Sequence, residues 1–200
     1  MNSRNKAAIL RFHADRTSRF GLGTSESLGW ASSDRHDVRL RILLEIGELD
    51  NHSALDVGCG YGDLLEYIDE LYSGVDYVGI DHYAPFLEYA GARFTDRPHT
   101  RFLNGDFLSV PLPLSDYVFA SGSLSYRSDN PRFAFHAIDQ LYPTCRIGFA
   151  FNLLSSVAVS EKVVTAYNPE EILEHCQGHT PNVEIRDNYL DGDFTVFMKR

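Results

Sequence analysis

Apolar and polar positions follow two patterns along the chain, one typical of buried strands and the other of amphipathic helices. Apolar strands are predicted at residues 54–57, 77–81, 101–103, 117–121 and 145–151. Helical patterns fall between them at 62–71, 84–94 and 131–141. Because strands that alternate with helices form parallel sheets with helices on both faces, the pattern predicts an α/β fold.

The two ends of the chain carry further elements. Before the first strand, Asp34 is expected to cap a helix that runs to about residue 48, with near-helical spacing of its apolar side chains. Residues 1–33 are interpreted as a short helix followed by an irregular segment that wraps or covers the core. This part of the chain contains few large apolar residues, so we expect it to act as an arm or lid.

The C-terminal part begins with a clear helix start. Asn168 supplies a capping side chain, Pro169 takes the first helical position, and the helix is expected to end near Cys176. Apolar strands follow at 183–189 and 194–199, with the turn pair Asp191-Gly192 between them. Asp-Gly between two strands favours a hairpin, so these last two strands should be antiparallel.

Length and composition fit one domain over residues 1–200, made of an arm at 1–33 and a core at 34–200. Hydrophobic residues form 44% of the 200 positions, enough for one core. The sequence has no long apolar window and no signal-like N-terminus, which predicts a cytoplasmic protein without a membrane partner. Its three cysteines form no C-x-x-C pair, in keeping with a reducing compartment.

The net charge of −10 disfavours binding to nucleic acid, which requires a basic surface. The notable cationic cluster is Arg35, Arg39 and Arg41. We interpret it as a solvated helix face, although a basic cleft around these three arginines would favour a nucleic-acid or protein substrate.

A glycine loop carries the chemistry of the chain. The first strand runs into Gly58, Gly60 and Gly62, and the second strand ends in Asp81. A dinucleotide motif needs a third glycine where Asp63 stands, and the lysine of a Walker motif is missing as well. Since Asp63 would also repel a phosphate at the helix N-terminus, we expect a cationic ligand with ribose hydroxyls and little or no phosphate.

Four sequence blocks resemble the class I S-adenosylmethionine-dependent methyltransferases. They are Asp56-Val57-Gly58-Cys59-Gly60-Tyr61-Gly62, Gly79-Ile80-Asp81, Asn104-Gly105-Asp106-Phe107 and Asp116-Tyr117-Val118-Phe119-Ala120-Ser121. The resemblance implies a Rossmann-like, doubly wound, mostly parallel seven-stranded sheet with a C-terminal antiparallel hairpin. It also implies that S-adenosylmethionine is the cofactor and S-adenosylhomocysteine the product.

The resemblance assigns roles to residues at the strand ends. Asp56 would face the cofactor ammonium, Asp81 the two ribose hydroxyls, and Asp106 the adenine amino group. The remaining residues expected to bind the cofactor are Gly58, Cys59, Gly60, His82, Phe107 and Ser121. Each aspartate also has a structural alternative, in which it organises its loop, caps a helix or shapes a turn.

Candidate substrate-binding residues are Phe20, Trp30, Ser123 and Tyr126, of which the aromatic ones could form a wall over the substrate or simply anchor the arm. No catalytic residue is assigned. Methyl transfer depends mainly on alignment, so a general base is optional, and Tyr126 and His136 are weak candidates for one.

The eight histidines are interpreted as dispersed, with no pair at H-x-x-x-H or similar ligand spacing, and we expect no metal site. The sequence favours methyl transfer to an O, N or C nucleophile on a small molecule. Three alternatives remain: a nucleic-acid or protein methyltransferase, a non-catalytic S-adenosylmethionine-binding regulator, and a nicotinamide reductase. Neither the methyl acceptor nor the oligomeric state follows from the sequence.

Overall fold

A computed structural model describes residues 3–30, 32–157 and 163–200. Within these ranges the helices are α1 (Ser3–Phe20), α2 (Ser25–Leu28), α3 (Ser33–Leu43), α4 (Asp63–Leu71), α5 (Ala84–Arg93), α6 (Phe133–Leu141) and α7 (Pro169–Gln177). The strands are β1 (Ser53–Val57), β2 (Asp76–Asp81), β3 (Thr100–Asn104), β4 (Ser115–Ala120), β5 (Cys145–Leu154), β6 (Val183–Arg186) and β7 (Asp193–Lys199).

The strands form one seven-stranded sheet in the order β3-β2-β1-β4-β5-β7-β6. β1 to β5 pair in parallel, whereas β7 is antiparallel to both β5 and β6. This arrangement confirms the predicted Rossmann-like sheet with a C-terminal antiparallel hairpin. The chain turns back between β1 and β4, and the carboxyl ends of strands at such a point form the usual ligand crevice of an open α/β sheet.

Each face of the sheet carries its own apolar core. Leu55 and Val57 of β1 belong to one core, together with side chains of α6 and α7. Ala54 of the same strand belongs to the other core, which contains side chains of α3 and α4. Successive side chains of a strand point to opposite faces of the sheet, so one strand contributes to both cores. The strand ends lie outside these cores and can carry polar groups.

The N-terminal region is more regular than the sequence indicates. α1 is an 18-residue helix, not a short one. The Asn5 amide donates to Ser128 Oγ (3.2 Å), and Thr17 Oγ1 lies 3.1 Å from the Tyr83 hydroxyl. α1 therefore spans the same end of the sheet as the β2–α5 and β4–α6 connections.

The start of α3 differs from the prediction. Ser32 is the N-cap, and its Oγ accepts a hydrogen bond from the Arg35 N–H (3.4 Å), so Asp34 lies inside the first turn. An acidic side chain is favourable there because it faces the positive end of the helix dipole. The α-helix ends at Leu43, before the expected residue 48, and a 3-10 turn at Leu44–Ile46 follows.

The arginine cluster on α3 is a solvated face only in part, because Arg41 is exposed and Arg35 partly exposed, whereas Arg39 is buried. Arg39 is 5% exposed, and its guanidinium binds both carboxylate oxygens of Asp193, at 2.7 and 2.5 Å. Arg35, one helical turn earlier, also contacts Asp193 (3.4 Å), whereas Arg41 points elsewhere and lies 3.5 Å from Glu70. Because positions 35 and 39 share a helix face and 41 does not, the three arginines form no common basic cleft.

None of the helices in the described ranges combines the length and the apolar character needed to cross a membrane.

Candidate active site

A cavity of about 530 Å³ opens at the carboxyl ends of β1, β2 and β4. α1 covers one side of it, and the segment after β5 contributes another wall. A volume of this size is typical of small-molecule and cofactor sites. Its lining includes the sequence-predicted residues Trp30, Asp56, Gly58, Cys59, Gly60, Asp81, His82, Asp106, Phe107, Ser121, Ser123 and Tyr126.

The glycine loop forms the floor of the cavity. Gly58 has φ of +76° and Gly60 has φ of +54°, a region that side chains rarely adopt. The Gly58 N–H donates to the carbonyl oxygen of Ile80 (2.7 Å), which ties the loop to the end of β2. A Cβ atom at Gly58 would lie 2.4 Å from the Cβ of Ser123, so the backbones of two loops meet there.

Asp81 connects the loop to the turn that follows β2. Its Oδ2 accepts the Gly60 N–H (3.1 Å), and its Oδ1 accepts the Tyr83 N–H (2.9 Å). Each oxygen keeps a second lone pair for a ligand in the cavity. Burial raises the pKa of Asp81, while the N–H of Tyr83 partly offsets that rise. Asp81 thus has the predicted position at the cavity and also organises the loop.

Asp56 lies deeper, at the end of β1, and is 2% exposed. The Tyr77 hydroxyl donates to its Oδ2 (2.7 Å). Burial raises the pKa of Asp56 to about 7, against the lowering effect of the Tyr77 hydrogen bond and with a further rise from the nearby charge of Asp81. A carboxyl group with such a pKa favours a cationic neighbour, because a positive charge stabilises its ionised form.

Asp63 does not present a free charge to the cavity. Its Oδ2 lies 3.1 Å from His36 Nε2, and its Oδ1 accepts from Arg93 (2.6 Å). Burial would raise the pKa of Asp63, but these two partners outweigh it and lower the pKa. The expected repulsion of a phosphate by Asp63 is therefore weaker than the sequence indicates, since the charge is compensated on both sides.

Asp106, which follows β3, also lines the cavity. It accepts the Leu108 N–H (3.0 Å) and the Ser109 hydroxyl (2.8 Å), and it forms an ion pair with Lys6 from α1. Burial raises its pKa, but Lys6 and the hydrogen bonds lower it overall. Phe107, which follows it, is partly buried against the apolar core.

The other predicted cofactor residues also lie at the cavity. His82 lines the cavity, and its Nε2 is buried without a hydrogen-bond partner among the described residues. Ser121 Oγ accepts from the Asn152 side chain (3.4 Å). Cys59 is buried against Gly79, and burial raises the pKa of its thiol well above the usual value.

Three of the four predicted substrate-binding residues face the cavity, and the fourth does not. Ser123 donates to the Val57 carbonyl oxygen (2.8 Å), and Trp30 packs against Gly122. Phe20 is 36% exposed at the end of α1, outside the cavity lining, where arginines of its own helix lie over the ring. The prediction for Phe20 is wrong because α1 continues past the cavity before it ends.

His13 is a cavity residue that the sequence analysis missed. Its Nε2 lies 2.7 Å from the Tyr126 hydroxyl, and its Nδ1 lies 3.4 Å from the Ser27 carbonyl oxygen. Burial lowers the pKa of His13 to about 4, and burial raises the pKa of Tyr126 above its usual value. The sequence shows only the four-residue spacing of Asn5, Ile9 and His13, and the structure adds that all three are buried on one face of α1.

His36 was missed as well. Its ring stacks on Trp30 (centroids 4.8 Å apart, 22° between planes), and the Arg39 guanidinium also lies over the Trp30 ring, 4.6 Å from its centroid. His136, a weak candidate for a base, is exposed on α6 and pairs with Gln140 (3.1 Å), outside the cavity.

One histidine pair contradicts the impression of dispersed histidines. His175 and His179 are four residues apart, and both Nε2 atoms lie 2.8 Å from Asp139 Oδ1. The three side chains lie together, away from the cavity lining. The spacing was readable in the sequence, whereas the contribution of Asp139 from α6 was not.

Comparisons with known proteins agree with this arrangement. The family described as "Methyltransferase domain" matches residues 54–143. A Mycobacterium tuberculosis protein named as a putative methyltransferase is 28% identical over 164 residues, which cover 78% of this chain and 97% of that protein. Trans-aconitate 2-methyltransferase of Yersinia pestis is 30% identical over 89 residues, but these cover 44% of this chain and only 33% of that protein.

A solved structure supports the fold over the whole chain. Magnesium protoporphyrin IX methyltransferase of Synechocystis, with bound S-adenosylhomocysteine, superposes with a TM-score of 0.71 at 13% identity. The superposition covers 98% of this chain and 99% of that chain. At 13% identity, this similarity supports the fold alone.

Proposed function

We propose that the chain is a class I S-adenosylmethionine-dependent methyltransferase and that it methylates an O, N or C nucleophile of a small molecule held under α1. The cofactor is S-adenosylmethionine, and its sulfonium supplies an already activated methyl group. The acceptor then needs a pocket next to the glycine loop that aligns it and excludes water.

The residues at the loop fit this cofactor. Gly58 and Gly60 line the cavity with a positive φ, which lets the backbone approach a ligand closely, and Asp81 offers free lone pairs beside them. Asp56 would hold the cationic amino acid end, since its raised pKa favours a positive neighbour. His82 Nε2 and Asp106 would contact the adenine end, where both line the cavity.

The observation that carries the proposal is the second, largely apolar part of the same cavity. Phe12, Trp30 and Phe133 line it, together with apolar residues of the segments around 154 and 164. α1 packs over this part of the cavity, which favours an acceptor small enough to fit beneath the helix. Two of the similar proteins are named for small acceptors, trans-aconitate and magnesium protoporphyrin IX, which is compatible with this substrate class.

The charges of the cavity disfavour a nucleic-acid substrate. Among the described residues, its lining contains three lysine or arginine side chains, and each has a carboxylate partner. Lys6 pairs with Asp106, and Arg35 and Arg39 both contact Asp193. Since phosphate binding depends on free cationic groups, a backbone of phosphates would have to break these ion pairs.

We assign the pair His13 and Tyr126 a positioning role toward the acceptor. His13 is neutral above about pH 4, and Tyr126 keeps its proton because burial raises its pKa. Neither group is therefore tuned as a base near pH 7, in contrast to the usual requirement for general base catalysis. They can hydrogen-bond to an acceptor whose own nucleophile attacks the methyl group.

The proposal is tested by S-adenosylhomocysteine formation with a panel of small hydroxy, carboxylic and amino compounds, beside tRNA, DNA and a protein extract. We expect turnover with a small compound and none with the polymers. Tyr126→Phe should raise KM for that compound more than it lowers kcat, with cofactor affinity unchanged. Turnover with a polymer alone would contradict the small-molecule proposal, and cofactor binding without turnover on any acceptor would favour a regulatory protein.

A further inference from the structure

Asp139, His175 and His179 form a cluster on the outside of the sheet's α6–α7 layer. Their ligand atoms all lie within 4.8 Å of one another. We propose that this cluster binds one divalent transition-metal ion, with Zn²⁺ as its best-matched occupant, and that the ion links α6 to α7. The site is separate from the methyl-transfer cavity, because none of the three residues lines it.

The local backbone brings the two imidazoles to one side. α7 ends at Gln177, but the His179 N–H donates to the Cys176 carbonyl oxygen (3.0 Å), which continues the turn of the helix. Residues four apart then share a face, the arrangement used by histidine pairs that chelate zinc. Cys176 lies between them in sequence but is fully buried in the core, so it does not join the cluster.

The distances are close to those of a zinc site. Both Nε2 atoms lie 2.8 Å from Asp139 Oδ1, as hydrogen bonds. Ligands held tetrahedrally at about 2.1 Å from zinc lie about 3.4 Å apart, so a shift of roughly half an ångström opens the site. The Asp139 side chain is 44% exposed and can make that shift.

The donor set selects the type of metal. Two imidazole nitrogens and one carboxylate oxygen suit Zn²⁺ and its neighbours, whereas Mg²⁺ and Ca²⁺ prefer oxygen ligands alone. With three protein ligands, a water molecule would complete the tetrahedron on the exposed side. The negative end of α7 adds a favourable field for a cation near its last turn.

Aromatic neighbours restrict both imidazoles. The Phe135 ring meets His175 edge-on, with centroids 5.1 Å apart, and the Tyr142 ring lies 5.6 Å from that of His179. Both aromatic residues belong to the buried core, so they limit the rotation of the histidine rings. Pre-oriented ligands lose less conformational entropy when a metal binds.

The test uses tag-free full-length protein, stripped with EDTA and titrated with Zn²⁺ against a chromophoric chelator. We expect uptake of one equivalent and a rise in Tm on zinc addition. His175→Ala and His179→Ala should each weaken zinc binding at least ~10-fold, a loss that even outer-shell changes cause in metal sites. His136→Ala is the matched control on α6, since His136 is exposed and outside the cluster, and it should bind zinc normally.

Two results would overturn the proposal: no zinc uptake at micromolar metal, or uptake that both cluster variants retain. The variants alter partly exposed side chains, and their Tm in EDTA shows whether they are folded. A cluster that serves only as a hydrogen-bonded link would make His175→Ala lower the Tm equally with EDTA and with zinc. If the cluster binds zinc, the difference between the Tm in EDTA and the Tm in zinc should disappear in His175→Ala.

Discussion

At the scale of single residues, Asp81 combines two roles that a motif does not separate. It holds the glycine loop through the Gly60 N–H and the following turn through the Tyr83 N–H, and it still has lone pairs directed at the cavity. The helix-cap alternative considered for Asp81 is wrong, because Tyr83 is the N-cap of α5 and no side chain caps this helix, so the two roles that remain are loop support and ligand binding. The end of β2 holds the Asp81 carboxylate at a position where it can fulfil both roles.

For Asp81→Asn we expect a 10- to 150-fold weaker affinity for S-adenosylhomocysteine by calorimetry, corresponding to about 1.5–3 kcal/mol for a charge-assisted hydrogen bond. Asp76→Asn is the control, because Asp76 is exposed at the start of the same strand. An unchanged dissociation constant in a folded Asp81→Asn protein would remove this residue from the cofactor site.

The raised pKa of Asp56 leads us to expect that cofactor binding depends on pH. Its pKa is about 7 in the free protein, and a bound cation would lower it. Binding then releases a proton below pH 7, so affinity should rise between about pH 5.5 and 7 and level off above. Calorimetry across this range tests it, and Asp56→Asn should bind more weakly at pH 7 with a flatter profile. A slope that Asp56→Asn leaves unchanged would assign the titration to another group.

The raised pKa of Asp56 also makes the stability of the free protein fall as pH rises. The folded pKa of Asp56 exceeds the ordinary value of 3.8, so its contribution favours folding below that value and is lost as pH rises toward 7. Above the folded pKa the free protein therefore holds a buried, partly compensated charge. We expect this loss of stability because a carboxylate that is buried to bind a cationic ligand has no cationic partner among the described residues of the free protein.

At the scale of elements, the β1–α4 connection depends on glycine at a specific place. Gly58 needs a positive φ and leaves no room beside Ser123. Gly91 lies in α5, where an added methyl group would meet no atom within 4 Å apart from the backbone of its own helix. The two glycines therefore have opposite consequences when replaced by alanine.

We expect Gly58→Ala to lower the Tm and the cofactor affinity together, because its Cβ pushes the two loops apart. Gly91→Ala should instead stabilise the protein by about 0.5–1 kcal/mol, the ordinary gain for alanine within a helix. Urea denaturation and calorimetry on both variants test this pair. Equal effects of the two substitutions would mean that the glycine loop has no special backbone requirement.

The element scale also explains why α3 departs from the solvated face expected for it. Arg39 is directed at Asp193, which begins β7, and this buried ion pair connects the helix to the C-terminal hairpin. Removing one partner of such a pair leaves a buried charge, which costs more than the pair itself contributes. The exposed pair of Arg41 and Glu70 has no comparable role.

At the scale of the whole molecule, we expect the cofactor to stabilise the fold, because the residues proposed to bind it lie at the ends of three strands and come together only when the sheet is formed. At 100 times the dissociation constant, ligand binding adds about 2.7 kcal/mol, or roughly 5–10 °C in Tm for a chain of this size. Thermal scans with S-adenosylhomocysteine test this, with NADH as the control. A shift with NADH alone would revive the reductase alternative.

The sequence by itself determined the order of strands and helices, the glycine loop and the acidic residues at the strand ends. These features follow from local periodicity and from backbone requirements at single positions. Only the tertiary structure decided which side chains cover the site and which charges are compensated. His13 meets Tyr126 across 113 positions, and Arg39 meets Asp193 across 154. Such contacts depend on which faces of distant elements pack together, and no local pattern specifies that.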